Sequence, residues 1–97
     1  MKAMDLRLKL WIEHDGHMVI GEGLCRLLML VEGTGSITGA ASGMGLAYRE
    51  AWGRLRQAEQ AVGQPLLSRH AGGAGGGGAM LTPLARELVE RFGRIRL

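Results

Sequence analysis

The stretch RHAGGAGGGGAMLT, residues 69–82, places six glycines in the seven positions from Gly72 to Gly78. A phosphate-binding loop needs a strand and then G-x-x-x-x-G-K-[ST] opening a helix, and no Lys-Ser/Thr pair follows here. A dinucleotide-binding fold needs more chain than 97 residues supply. A linker between domains would leave too short a stretch beyond it to form a second domain. A hairpin tip fits best. Glycine takes positive φ freely and bares N–H groups that can meet phosphate oxygens. LLSRH before the loop and AML after it read as the two strands, and Arg69 and His70 place donors beside it.

The chain before this loop changes period twice. LRLKLWI alternates, with Leu6, Leu8, Leu10 and Ile12 on one side, which is a half-buried strand. Asp15-Gly16 is a tight hairpin signal, and HMVI is its return strand. From Gly21 to Glu32, Leu24, Leu27, Leu28 and Val31 recur at helical spacing, with Gly33 expected to end that helix. Ser36 is a candidate N-cap for ITGAASGM, and Gly43 and Gly45 supply the next break. In LAYREAWGRLRQAEQAVG the apolar stripe is Tyr48, Ala51, Leu55, Ala58 and Val62. Arg49, Glu50, Gly53, Arg54 and Gln57 fall on the opposite face. After the glycine loop, Thr82 caps a last helix with Pro83 at its first position, striped by Leu84, Leu88, Val89, Phe92 and Ile95.

The expected order is a strand hairpin, three helices, a glycine-rich two-stranded wing and a C-terminal helix. This is a mostly α winged helix-turn-helix with a small β component, one domain over residues 1–97. Its core is built from Leu, Met, Ala, Val and Ile, because aromatic residues make up only 4% of the chain.

Charge narrows the partner. Residues 47–97 carry eight arginines against four glutamates, whereas residues 1–46 have one more acid than base. Arginine's planar fork suits phosphate and guanine edges, so the asymmetry favours an anionic partner over a merely solvated basic surface. Cys25 is the sole cysteine and reads as a core residue, which excludes an internal disulfide and a thiolate cluster. His14, His17 and His70 are too scattered for a metal site, and no catalytic constellation is visible. We expect no enzyme activity, no metal and no cofactor. No stretch reaches 18 uninterrupted apolar residues and the N-terminus is charged throughout, so neither a membrane span nor an apolar leader is expected, and the expected location is the cytoplasm.

A helix-turn-helix over Ser36–Val62 needs small residues where its helices touch, supplied by Ala40 and Ala41. It also needs a helix whose N-terminal outward residues reach base edges in the major groove. With a recognition helix at about 47–62, the base-reading candidates are Tyr48, Arg49, Glu50 and Gly53. Glycine inside a helix costs roughly 1 kcal/mol relative to alanine, which points to a close approach at Gly53. The backbone candidates are Ser36, Arg54, Arg56, Arg69 and His70, with Gly73, Gly75, Gly76 and Gly77 in a wing at 70–79. Trp52 can stack on a base or pack against the core, and packing is the commoner role of so large a ring.

The segments GSITGAASGMGLAYREAW and PLLSRHAGGAGGGGAMLTPLAREL resemble the N-terminal DNA-binding domain of ModE-type molybdate-responsive transcription regulators, relatives of the LysR-type winged helix. The resemblance rests on the GSI…AA start, on Y-x-x-A-W at Tyr48–Trp52, on Pro65-Leu66-Leu67, on Arg69, and on GGxGGGGAxLT at 72–82. It implies a sequence-specific regulator that binds double-stranded DNA, at a palindromic operator, as a homodimer. Helix 1 or the C-terminal helix is the expected interface, with Trp11 a secondary candidate. Such regulators carry a C-terminal molybdate-binding region. Because this chain stops at Leu97, it is not expected to bind molybdate itself. Ala47 departs from related winged helices, which often place a serine there. The rival reading is a winged-helix interaction module or accessory protein of molybdenum metabolism without DNA binding. A weaker third is oxyanion binding by the glycine-loop amides.

Overall fold

Leu24, Cys25, Leu27, Leu28 and Val31 make one apolar face on helix α1 (Glu22–Thr34), the central element of the computed structural model. The structure describes residues 11–14, 17–70 and 78–95. Cys25, Leu27, Leu28 and Val31 are at most 2% exposed, and the remaining elements pack round them. Helix α1 runs one residue past Gly33, the glycine expected to stop it. Gly33 stays helical, and the Thr34 hydroxyl donates back to the Leu30 carbonyl at 2.6 Å. Gly35 is the terminator. It holds φ at 78°, where a Cβ would be strained, and its N–H donates to Val31 O.

Helix α2 (Ile37–Met44) begins where Ser36 Oγ accepts the Gly39 N–H at 2.9 Å, an N-cap of the expected kind. Ile37, Ala40 and Ala41 face the core. Gly43 is not part of the turn, as the sequence suggested, but lies within α2. A Cβ there would come 3.2 Å from Leu30 Cδ1, so Gly43 lets α2 close on α1. Gly45 alone makes the turn, at φ 68° with its N–H on the α2 carbonyls. Leu46 and Ala47 then lead into helix α3 (Tyr48–Val62), whose N-cap Ala47 makes no side-chain hydrogen bond. Ala51, Leu55 and Ala58 are buried as the stripe predicts. Tyr48 departs from it: as the first residue of the helix it is 42% exposed.

The chain turns after α3 at Gly63 and Pro65 into strand β3 (Leu67–His70), which pairs antiparallel with β4 (Gly78–Leu81). The register sets Leu67 opposite Leu81 and Arg69 opposite Ala79. Leu67, Ala79 and Leu81 are buried, while Ser68 and Met80 are exposed; Arg69, opposite Ala79, shares the buried residues' side of the hairpin by alternation, but is itself exposed. The wing is fastened at both ends. Ala79 N–H donates to Gly35 O at 2.9 Å, and Leu81 N–H donates to the Glu32 carboxylate at 3.2 Å. Thr82 N–H donates to Leu66 O, and the Thr82 hydroxyl donates to Pro65 O and caps helix α4 (Pro83–Ile95) through Ala85 N–H. Phe92 and Ala85 anchor α4 in the core.

The N-terminal hairpin is present as β1 (Trp11–His14) against β2 (His17–Gly21), antiparallel and irregular between Ile12 and Glu13. The expected start of its first strand at Leu6 and the Asp15-Gly16 turn lie outside the described residues. Element for element, the order is that of a winged helix-turn-helix.

Candidate nucleic-acid interface

The turn at Gly45 sets the first residues of α3 at the surface. The base-reading candidates Tyr48, Arg49, Glu50 and Gly53 are all exposed in the first two turns of the helix. A Cβ at Gly53 would meet nothing within 4 Å, so no contact within the described fold requires glycine there.

Glu50 is paired with Arg54, one of the backbone candidates. Arg54 Nη2 donates to Glu50 Oε2 at 3.3 Å, with both side chains about half exposed. An exposed i,i+4 pair of this kind contributes only about 0.3–0.5 kcal/mol, so a phosphate can displace the carboxylate at small cost. Arg49 has no carboxylate partner among the described residues. Its five donors remain open on the face of α3 that the helix-turn-helix leaves uncovered.

Arg56 and Arg69, from α3 and β3, converge on one side chain. Their guanidinium carbons lie 5.7 and 4.8 Å from the centre of the Trp52 ring. Trp52 itself is partly buried and packed against the core, the packing role preferred over base stacking. Ser36 spends its hydroxyl on the Gly39 amide as a cap, which leaves it a structural part in the described fold. His70 ends β3, but its side chain lies outside the described residues, as do Gly73, Gly75, Gly76 and Gly77 of the wing tip.

Sequence reasoning missed Glu59. Its Oε2 accepts the N–H groups of Leu66 and Leu67, at 2.8 and 3.3 Å, and so ties the start of the wing to the recognition helix. Glu32 does the same at the other strand, holding Leu81 N–H and Arg86 Nε. A glutamate on the polar side of a helix looks like an ordinary solvated charge until the strand that it caps is in place. By contrast, the four-residue step from Trp52 to Arg56 was visible in the sequence.

No group of three His, Cys, Asp or Glu side chains able to hold a metal occurs among the described residues. No helix among them is long and apolar enough to cross a membrane.

Comparison with known proteins gives the arrangement a family. The model of the bacterial regulatory helix-turn-helix protein, lysR family, matches residues 24–86, which run from α1 through the wing into α4. The chain is 38% identical over 69 residues to the molybdenum-pterin-binding protein MopB of Rhodobacter capsulatus, covering 71% of this chain and 26% of that protein. It is 32% identical over 92 residues to the molybdenum transport protein ModE of Azotobacter vinelandii, covering 95% of this chain and 34% of that protein. It is 35% identical over 66 residues to the DNA-binding transcriptional dual regulator ModE of Escherichia coli K12, covering 68% of this chain and 25% of that protein. The chain thus spans about a quarter to a third of the length of these curated relatives. These matches bear out the resemblance to ModE-type regulators read from the residues, and the reading as an interaction module without DNA binding is not favoured. The chain belongs to the lysR family of bacterial regulatory helix-turn-helix proteins, a class of DNA-binding regulators of transcription.

Proposed function

We propose that residues 1–97 act as one DNA-binding domain that places α3 in the major groove of a palindromic operator, as a homodimer in the cytoplasm. The observation that carries this is the uncovered N-terminal flank of α3. There Arg49, with no carboxylate partner among the described residues, stands beside exposed Tyr48 and a glycine with open space above it. Arg49 and Tyr48 read base edges, with Glu50 and Gly53 near the groove. Arg54, Arg56, Arg69, His70 and the wing glycines Gly73, Gly75, Gly76 and Gly77 meet the backbone, and Ser36 holds the start of α2 beside it. The operators belong to genes of molybdenum transport or use, a reading supported by the printed names of the relatives. The chain has no catalytic role, and molybdate is not its own ligand. In support, the lysR-type model accounts for α1 through the start of α4. Calorimetry in which this chain alone binds molybdate tightly would reverse that assignment.

Role assignment is tested by comparing two variants on operator and random duplexes. Arg49→Ala is expected to lose about 1–3 kcal/mol on the operator and far less on random DNA, as for a residue that reads a base. Arg69→Ala is expected to weaken both duplexes by the same factor. Identical behaviour of the two variants contradicts the division of roles.

Gly53 separates stability from binding. Because a Cβ there meets only open space, Gly53→Ala is expected to stabilise the fold by about 1 kcal/mol. The same methyl group is expected to weaken operator binding, measured by titration beside a thermal melt. A variant that melts higher and binds as the wild type does would remove Gly53 from the interface.

A further inference from the structure

Eight arginines have described side chains, and they fall into two groups. Arg54, Arg86, Arg91 and Arg94 each pair with a glutamate, so their charge is already answered within the fold. Arg26, Arg49, Arg56 and Arg69 have no carboxylate partner among the described residues. Two of these four share one indole. Arg56 is one helical turn beyond Trp52 on α3, and Arg69 reaches the same ring from the buried residues' side of the wing hairpin.

We propose that Trp52 is a positioning residue for the DNA backbone. Its ring seats Arg56 and Arg69 as a two-armed phosphate clamp that joins recognition helix to wing. The inference rests on the DNA-binding reading above.

Three physical points carry it. A ring face attracts a guanidinium through its quadrupole and takes none of its N–H donors, whereas a carboxylate occupies them. Both arginines are therefore held in place with their hydrogen-bonding capacity intact, which reduces the ordering cost when an anion arrives. Second, two like charges over one ring repel each other, and an anionic phosphate oxygen between or beside them relieves that repulsion. Third, the ring is half-buried against the core and already has cationic neighbours, so it is not a bare platform for an extruded base.

The test titrates Trp52→Leu and Trp52→Phe into operator and random duplexes over a salt series. The double variant Arg56→Gln/Arg69→Gln and the triple variant with Trp52→Leu are titrated alongside. Trp52→Leu is expected to weaken both duplexes by about 5-fold at low salt, and Trp52→Phe, which keeps a ring face, by less. The double arginine variant is expected to flatten the slope of log K against log salt by about 2 per protomer. Adding Trp52→Leu to it is expected to change affinity by less than about 2-fold, since no clamp is left to orient. Circular dichroism checks the fold. If Trp52→Leu does not fold, Trp52→Phe alone decides by the same criteria.

Wild-type affinity in the Trp52 variants, with the double arginine variant weakened, overturns the inference and leaves the proposed function standing. Additive losses overturn it likewise, because the ring then acts apart from the arginines. A loss confined to the operator makes Trp52 a base contact and also overturns it. A wild-type chain that binds no duplex at low salt removes the proposed function itself, and the inference with it.

Discussion

Phe92→Ala is expected to destabilise the fold by about 3–5 kcal/mol, a large part of the total stability of a domain this size. Phe92 is the largest fully buried side chain among the described residues, at 1% exposure. Among the described residues of α4 it is the larger of the two that are buried, the other being Ala85, while Leu84, Leu88 and Val89 are only partly covered. The other contacts of α4 are shallower: the Thr82 cap, the partly covered Leu84, Leu88 and Val89, and the exposed Arg86–Glu32 pair to α1. The pairs Glu87–Arg91 and Glu90–Arg94 lie within α4 and are exposed, so they favour helix formation by tenths of a kcal/mol without docking it. The consequence reaches the interface, because α4 packs on α1 and on β4, the elements that seat the recognition helix and the wing. Thermal unfolding is expected to shift down by more than about 12 °C. A shift of only a few degrees would mean that α4 is not docked through this residue.

Glu59→Ala is the second large effect, and it acts on the junction that the proposed function uses. The carboxylate caps two consecutive N–H groups, those of Leu66 and Leu67, whose residues are 0% and 7% exposed. Removing the acceptor leaves two part-buried donors unsatisfied, at about 1–3 kcal/mol each, for an expected loss of about 2–6 kcal/mol. Glu59→Gln keeps one oxygen in reach and should recover part of it. Well below the melting temperature, Glu59→Ala is also expected to weaken operator and random DNA alike. Arg69, which lies two residues beyond Leu67, then loses its fixed distance from α3. Denaturant titration of the three chains measures the stability ranking directly. Equal stability of Glu59→Ala and the wild type would show that the wing start is held by other contacts.

Much of this architecture was legible in the sequence, and the parts that were not share a cause. Helical periodicity in α1 and α3, the Ser36 and Thr82 caps and the two strands around the glycine run are local signals, and the structure has them where they were read. The errors concern which of several glycines does what. Gly33 and Gly43 look like breaks, but Gly35 and Gly45 carry the positive φ, while Gly43 serves the approach of α2 to α1. Sequence alone cannot separate a glycine needed for backbone shape from one needed for space, because both requirements come from the neighbours. The interface divides in the same way. The exposed flank of α3 follows from its period. The grip of Glu59 on the wing and the meeting of Arg56 with Arg69 on Trp52 depend on a strand distant in the chain.

Ala47 illustrates a local rule that the protein leaves unused. As N-cap of α3 it makes no side-chain hydrogen bond, although serine or threonine at such a position stabilises a helix by about 1 kcal/mol. The first N–H groups of α3 are thereby left without a side-chain acceptor at the end proposed to enter the groove.

The most direct test of the central claim is the affinity of the wild-type chain for duplex DNA across a salt series. With about 5 phosphate contacts per protomer, log K is expected to fall against log salt with a slope of about −4 to −5 per protomer bound. Operator DNA should be bound more tightly than random sequence at every salt concentration. No binding at low salt, or an affinity indifferent to salt, would contradict the account.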